Sequence, residues 1–167
     1  MKHLVTLLLS IMTLGVVSAQ NYIVVNSEKV FKSIEAYNEA LDTIEKLSAE
    51  YQQQVDAKFQ EVETIYNKYM EQKASLSASS RQTYEMMILQ KEAEATKFQE
   101  SLFGTDGELM KRRLELIQPI QERVFSTIES ISKQYGYDLV IDIAANPTVL
   151  YYSNKVDMTN TIIEALK

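Results

Sequence analysis

The side chains in this sequence that could do acid–base or metal chemistry are almost all carboxylates. Glu61 and Glu63 are two positions apart, and so are Glu92 and Glu94. Residues i and i+2 point to different sides of a helix, so neither pair can share a proton or a metal ion. We interpret these carboxylates as solvated surface charges.

Asp106 and Glu108 stand among glycines and could be imagined as ligands for Ca²⁺. A helix–loop–helix calcium site needs a loop of about 12 residues with oxygen ligands at alternating positions. That spacing is lacking here. The sequence therefore predicts no metal site, and no cofactor.

Nucleophilic and imidazole chemistry is also missing from the expected mature chain. The sequence has no cysteine, and its one histidine is His3. Lys2 and His3 precede an apolar stretch over residues 4–17, and the small residues of Val17-Ser18-Ala19 follow. This pattern predicts a signal peptide over residues 1–19, cleaved after Ala19. The alternative, an uncleaved anchor helix, would need roughly 20 apolar residues. We expect an exported, non-enzymatic binding protein.

The charge of the chain bears on its partners. The formal net charge is −6, whereas non-specific binding to nucleic acid depends on Lys and Arg that neutralise phosphates. An acidic protein is also repelled by anionic membrane surfaces. We expect no nucleic-acid partner and no strong binding to anionic membranes.

Short β-branched runs at both ends of the chain predict a small base. Residues 22–25 read as a strand that ends at Asn26, a residue suited to cap a following helix. Residues 137–143 and 148–152 read as two more strands, with a turn at 145–147, and a last helix follows Asp157. The base is thus predicted to have three strands, drawn from both chain ends.

Between these strands the sequence predicts two long helices. Residues 35–76 contain no Gly or Pro and carry apolar residues at three- and four-residue steps. At 1.5 Å per residue such a helix is about 60 Å long. It needs a partner, and a second helical pattern begins after the small polar break at 77–80. We predict an antiparallel hairpin with its tip near 75–80, and we expect Phe59, Tyr66, Tyr69 and Phe98 to pack between its helices.

Two features interrupt the returning helix. Gly104 and Gly107 predict a local break, which the sequence leaves open as either a hinge or a bulge. Pro119 lies inside the resumed helical pattern, where it removes one backbone hydrogen bond, so we predict a kink there.

Flexible and aromatic side chains on the hairpin are candidates for contact with other proteins. Methionine thioethers adapt to many apolar partners. We therefore name Met70, Met86, Met87 and Phe103 as candidate client-binding residues. Val24, Leu139, Ile141 and Tyr151 are candidates for the base core, and in an oligomer some of them would become interface.

Three sequence blocks carry a resemblance that covers nearly the whole expected mature chain. They are YIVVNSEKVF at 22–31, LIQPIQ at 116–121 and YGYDLVID at 135–142, completed by Val149-Leu150-Tyr151 and Asp157-Met158-Thr159. In order and spacing around an interrupted hairpin, they resemble the Skp/OmpH family of periplasmic chaperones.

The resemblance implies an α+β, mainly α fold in which a coiled-coil arm over residues 35–117 is inserted into a base formed by 20–34 and 118–167. It implies a homotrimer in the periplasm, whose arms surround a cavity that holds unfolded outer-membrane β-barrel proteins without ATP. The alternative is a structural coiled-coil protein, such as an envelope spacer or a scaffold. An enzyme with a helical insertion ranks third, because the expected mature chain has no His and no Cys.

Overall fold

The computed structural model describes residues 21–144, 146 and 148–167. It divides into two compact units. One comprises Met1–Ser33 with Phe125–Lys167, described from residue 21, and the other comprises Ile34–Val124. The sequence-based boundaries for the arm were residues 35 and 117. We call the first unit the base and the second the arm.

The base contains a small parallel sheet and two short helices. Strand β1 spans Tyr22–Val25, helix α1 Ser27–Lys32, strand β2 Leu139–Asp142 and helix α5 Thr159–Ala165. β1 and β2 pair in parallel, with Val24 opposite Ile141. Asn26 caps α1 as predicted, because its Oδ1 accepts the backbone N–H of Lys29 at 2.9 Å. The apolar core contains Ile23, Val24, Val25, Val30, Ile131, Ile162 and Leu166.

The predicted third strand at 148–152 is wrong for the described residues of this chain. On the edge away from β2, Val24 pairs with Asp157 in a single parallel bridge. The Val24 N–H donates to Val156 O at 2.8 Å, and the Val24 carbonyl accepts the Met158 N–H at 3.0 Å. Both edges of β1 are therefore occupied, and residues 148–152 do not pair with the remaining edge of β2, so their backbone groups have no strand as neighbour. Leu150 and Tyr151 are left 94% and 86% exposed.

The arm is built from long helices. α2 spans Glu35–Gln72, α3 spans Ala78–Phe103, and α4 spans Glu108–Tyr135 and continues into the base. α2 and α3 are antiparallel, since Tyr69 stacks on Tyr84 near the turn while Tyr51 contacts Phe103 far from it. The predicted hairpin is thus confirmed. Its second helix is capped at Ser77, whose hydroxyl accepts the N–H of Ser80 at 3.2 Å.

The hairpin core follows a strict seven-residue spacing on α2. Val55, Val62 and Tyr69 are buried there, and Ile88 and Ala95 are buried on α3. Ile65, Leu76 and Tyr84 pack around this cluster. Seven-residue spacing keeps one stripe of a helix in contact with its neighbour over several turns. This spacing explains the continuous buried seam between α2 and α3.

The predicted interruption at the glycines is present. α3 ends at Phe103, and α4 begins at Glu108. Gly104 N–H donates to Glu100 O at 2.8 Å, and Gly107 N–H donates to Gly104 O at 2.9 Å. A Cβ on Gly107 would lie 2.7 Å from Leu102 O, so this turn requires glycine. α4 runs through Pro119 without a break, and a kink there stays a prediction.

Candidate functional site

The candidate client-binding methionines lie on the surface of the arm. Met70, Met86 and Met87 are 49%, 57% and 39% exposed. Phe103 differs, because it is half-buried and meets Tyr51 edge to face at a centroid distance of 6.4 Å. The three thioethers are available to a partner. Phe103 is mainly engaged in packing α3 against α2, and its role as a client contact stays a prediction.

Two aromatic residues expected between the helices are instead exposed. Phe59 and Tyr66 are 38% and 48% exposed, whereas Tyr69 is 3% exposed. The reason is the seam at Val55, Val62 and Tyr69, beside which Phe59 and Tyr66 fall at the flank. Phe98 is half-buried, and the ammonium group of Lys58 lies 5.9 Å from its ring centroid.

A shallow groove runs between α2 and α3 on the flank that carries Tyr66. It has a volume of about 390 Å³ and is lined by Tyr66, Tyr69, Glu85, Ile88, Leu89 and Glu92. Leu89, which sequence reasoning did not single out, is 65% exposed. The signal for it was the run Met86-Met87-Ile88-Leu89, in which four consecutive apolar residues cannot all face one seam.

Polar contacts between the helices border the hairpin seam. The Tyr69 hydroxyl donates to Glu85 Oε1 at 2.5 Å, and this hydrogen bond raises the pKa of Tyr69. Across the hairpin, Lys91 Nζ lies 3.0 Å from Glu61 Oε1 and 3.5 Å from Glu94 Oε2. The hydrogen bond to Glu61 is the main cause of a raised pKa for Lys91, so this lysine remains charged.

The base exposes several apolar side chains near β2. Val24 is buried and Ile141 half-buried, but Leu139 is 56% exposed. A groove of about 300 Å³ lies between α4 and β2, and its lining includes Phe125, Ile128 and Leu139. In the described chain the ladder of β2 is formed with β1 alone. Val24 is thus a core residue, whereas the assignment of Leu139, Ile141 and Tyr151 to core or interface stays a prediction.

In the part of the chain that the structure describes, no three His, Cys, Asp or Glu side chains are grouped so that they could hold a metal ion. Among those same residues, no helix is both long and apolar enough to cross a membrane. The predicted signal peptide at 1–19 lies outside the described residues.

The described chain combines a long helical hairpin with a small strand-containing base. The family model described as "Outer membrane protein (OmpH-like)" matches residues 21–166. The chain therefore belongs to the OmpH-like family, whose members are periplasmic chaperones for outer-membrane proteins. No protein in a search of curated sequences matches this chain significantly.

Proposed function

We propose that this protein is a periplasmic holdase that binds unfolded outer-membrane β-barrel proteins without ATP, as a homotrimer. The observation that carries the proposal is the hairpin of α2 and α3, which exposes large apolar side chains along its length within a chain of the OmpH-like family. Water-exposed apolar groups of this size favour association with other apolar surfaces.

Exposed apolar side chains on the arm favour the holdase over a purely structural coiled coil. A spacer needs only the seam, and its outer surface is best kept polar. Here Tyr66, Met70, Met86 and Leu89 are all at least 48% exposed. Side chains that are costly to leave in water and do not pack the hairpin are consistent with a surface that contacts other molecules.

Weak and distributed binding explains how such a protein works without an energy source. Each contact between a non-native chain and an exposed Met or Tyr contributes little binding free energy, because the ordering of both partners opposes binding. Several arms that act on one client raise the effective concentration of binding surfaces. The client is held by many shallow contacts and is released when its own folding, or a better partner, removes them.

The base supports assembly into an oligomer. Phe125, Leu139, Leu150 and Tyr151 are more than half exposed. Within the described chain, the edge of β2 away from β1 has no strand beside it. An uncovered strand edge beside apolar side chains tends to pair with another chain. In the homotrimer we propose, these groups are covered by neighbouring copies.

The test measures the mass of the protein in solution and its ability to keep a client soluble. The purified mature protein is weighed in solution by light scattering, and then mixed with a urea-unfolded outer-membrane β-barrel protein that is diluted into buffer without nucleotide. A trimer that keeps the client soluble supports the proposal. A monomer, or a trimer that leaves aggregation unchanged, contradicts it, and the second result would favour a structural coiled-coil protein.

A further inference from the structure

The two flanks of the hairpin seam differ in chemistry. One flank carries the groove of about 390 Å³. Met70 lies one helical turn beyond Tyr66, and Phe59 lies two turns before it, so all three share this flank of α2. On α3, Leu89 lines the same groove. We call this surface, formed by Phe59, Tyr66, Met70 and Leu89, the Tyr66 flank.

The opposite flank is closed by charged groups. Lys91 forms its ion pair with Glu61 there, and Lys58 lies over the Phe98 ring. Met87 precedes Lys91 by four residues and therefore shares its flank. The apolar surface on this flank is covered by lysine stems and their ion pairs. Among the candidate methionines, Met87 and Met70 thus lie on opposite flanks of the seam.

The lining of the groove contains two carboxylates, Glu85 and Glu92, and no Lys or Arg. Next to the lining, Lys73 Nζ lies 5.3 Å from the Tyr69 ring centroid, so carboxylates outnumber this cation at the groove. Glu85 accepts the hydroxyl hydrogen of Tyr69, which fixes its carboxylate beside the groove. A carboxylate next to an apolar surface favours a ligand that presents a cation next to an apolar group. The aromatic face of Tyr66 adds to that preference, because ring faces attract cations.

From this placement we infer that the Tyr66 flank is the side of the arm that contacts clients, and that it prefers segments with a large apolar side chain next to Lys or Arg. The inference rests on the proposed function, because it assigns a side and a sequence preference to the same arm. The groove has room for individual side chains of a client segment.

The assignment of client contact to the Tyr66 flank is tested with a matched pair of substitutions. Leu89→Gln and Met87→Gln remove exposed apolar side chains two residues apart on the same helix, and Gln is a good helix former. We expect Leu89→Gln to weaken client binding about fivefold, as truncation of a contributing interface residue does. Met87→Gln should weaken client binding clearly less than Leu89→Gln does. Circular dichroism checks that all variants keep their helices.

The charge preference is tested with peptides. A fluorescent peptide with Leu and Tyr between lysines is compared with the same peptide carrying glutamates, by anisotropy in low salt. We expect tighter binding of the lysine peptide, and a smaller difference for Glu92→Gln. Equal binding of the two peptides would overturn the charge preference, and equal loss in Leu89→Gln and Met87→Gln would overturn the side. If the wild type held no client at all, the proposed function itself would fail, so the two failures are distinguishable.

Discussion

Tyr69 and Glu85 join the two helices of the hairpin by a hydrogen bond of 2.5 Å from the phenol hydroxyl to a carboxylate oxygen. The Tyr69 ring also stacks on Tyr84, with a centroid distance of 5.7 Å. Tyr69 therefore contributes both to the apolar seam and to its polar border.

Tyr69→Phe keeps the buried ring and removes only the hydroxyl. We expect a small decrease in the melting temperature of the helices, because Glu85 can exchange the lost bond for water. Tyr69→Ala removes the ring as well and leaves a cavity, so we expect a much larger decrease. Thermal melts followed by circular dichroism measure both. Equal melting of the two variants would show that the ring does not stabilise the seam.

Ala95 tests the packing of the seam. It is 1% exposed, and a larger side chain there must force the helices apart. We expect Ala95→Leu to cost about 1–3 kcal/mol of unfolding free energy, measured by urea denaturation. Ala93→Leu is the matched control, since Ala93 is exposed on the same helix. If the control were destabilised as much as Ala95→Leu, the assignment of the seam would be wrong.

Gly107 tests the turn between α3 and α4. A Cβ at this position would lie 2.7 Å from Leu102 O and 2.8 Å from Gly104 N. Backbone atoms cannot move aside cheaply, so we expect Gly107→Ala to destabilise the arm by about 1–3 kcal/mol. Thr105→Ala changes an exposed residue of the same turn and should have little effect. Urea denaturation of both variants checks this, and a neutral Gly107→Ala would mean that the turn tolerates a side chain.

Asp142 links the sheet to helix α1. Its carboxylate accepts Ser27 N–H at 3.1 Å, the Ser27 hydroxyl at 2.5 Å and Ala144 N–H at 3.0 Å. Burial raises the pKa of Asp142, but these hydrogen bonds outweigh burial and lower the pKa below its ordinary value of 3.8. A lowered pKa means that the charged form is stabilised by folding. The stabilisation is complete above the ordinary pKa and is lost as the pH falls through the lowered one.

We therefore expect Asp142→Asn to destabilise the base at pH 7, and the difference from the wild type to shrink in strong acid. Urea denaturation at both pH values gives the two differences. Asp138→Asn, at an exposed residue near the start of β2, is the control and should match the wild type. A difference for Asp142→Asn that did not depend on pH would contradict the role given to its charge.

The hairpin could be predicted because apolar residues recur at helical spacing along the sequence. Val55, Val62 and Tyr69, for example, are seven residues apart. The sequence did not distinguish the seam from its flank at Phe59 and Tyr66, since both lie three or four residues from seam residues. The cap at Ser77 was not singled out within the polar break at 77–80, because several serines in a row satisfy the same local pattern.

The base was harder to predict. Residues 148–152 have strand composition, yet composition does not say whether a neighbouring strand is available within the chain. Both edges of β1 are occupied by β2 and the bridge at Asp157. Local patterns likewise do not encode whether the exposed surface near Leu139 is covered by another copy, as in the trimer that we propose.

The central claim is that the arm holds the client, and shortening the arm tests it most directly. Deletion of residues 63–69 together with 84–90 removes seven residues from each helix, and so preserves the spacing of the seam. The measurement is the fraction of an unfolded outer-membrane β-barrel protein that stays soluble with the shortened protein relative to the full-length one. We predict an unchanged trimer mass and a clear loss of soluble client. Full protection of the client by the shortened trimer would contradict the account.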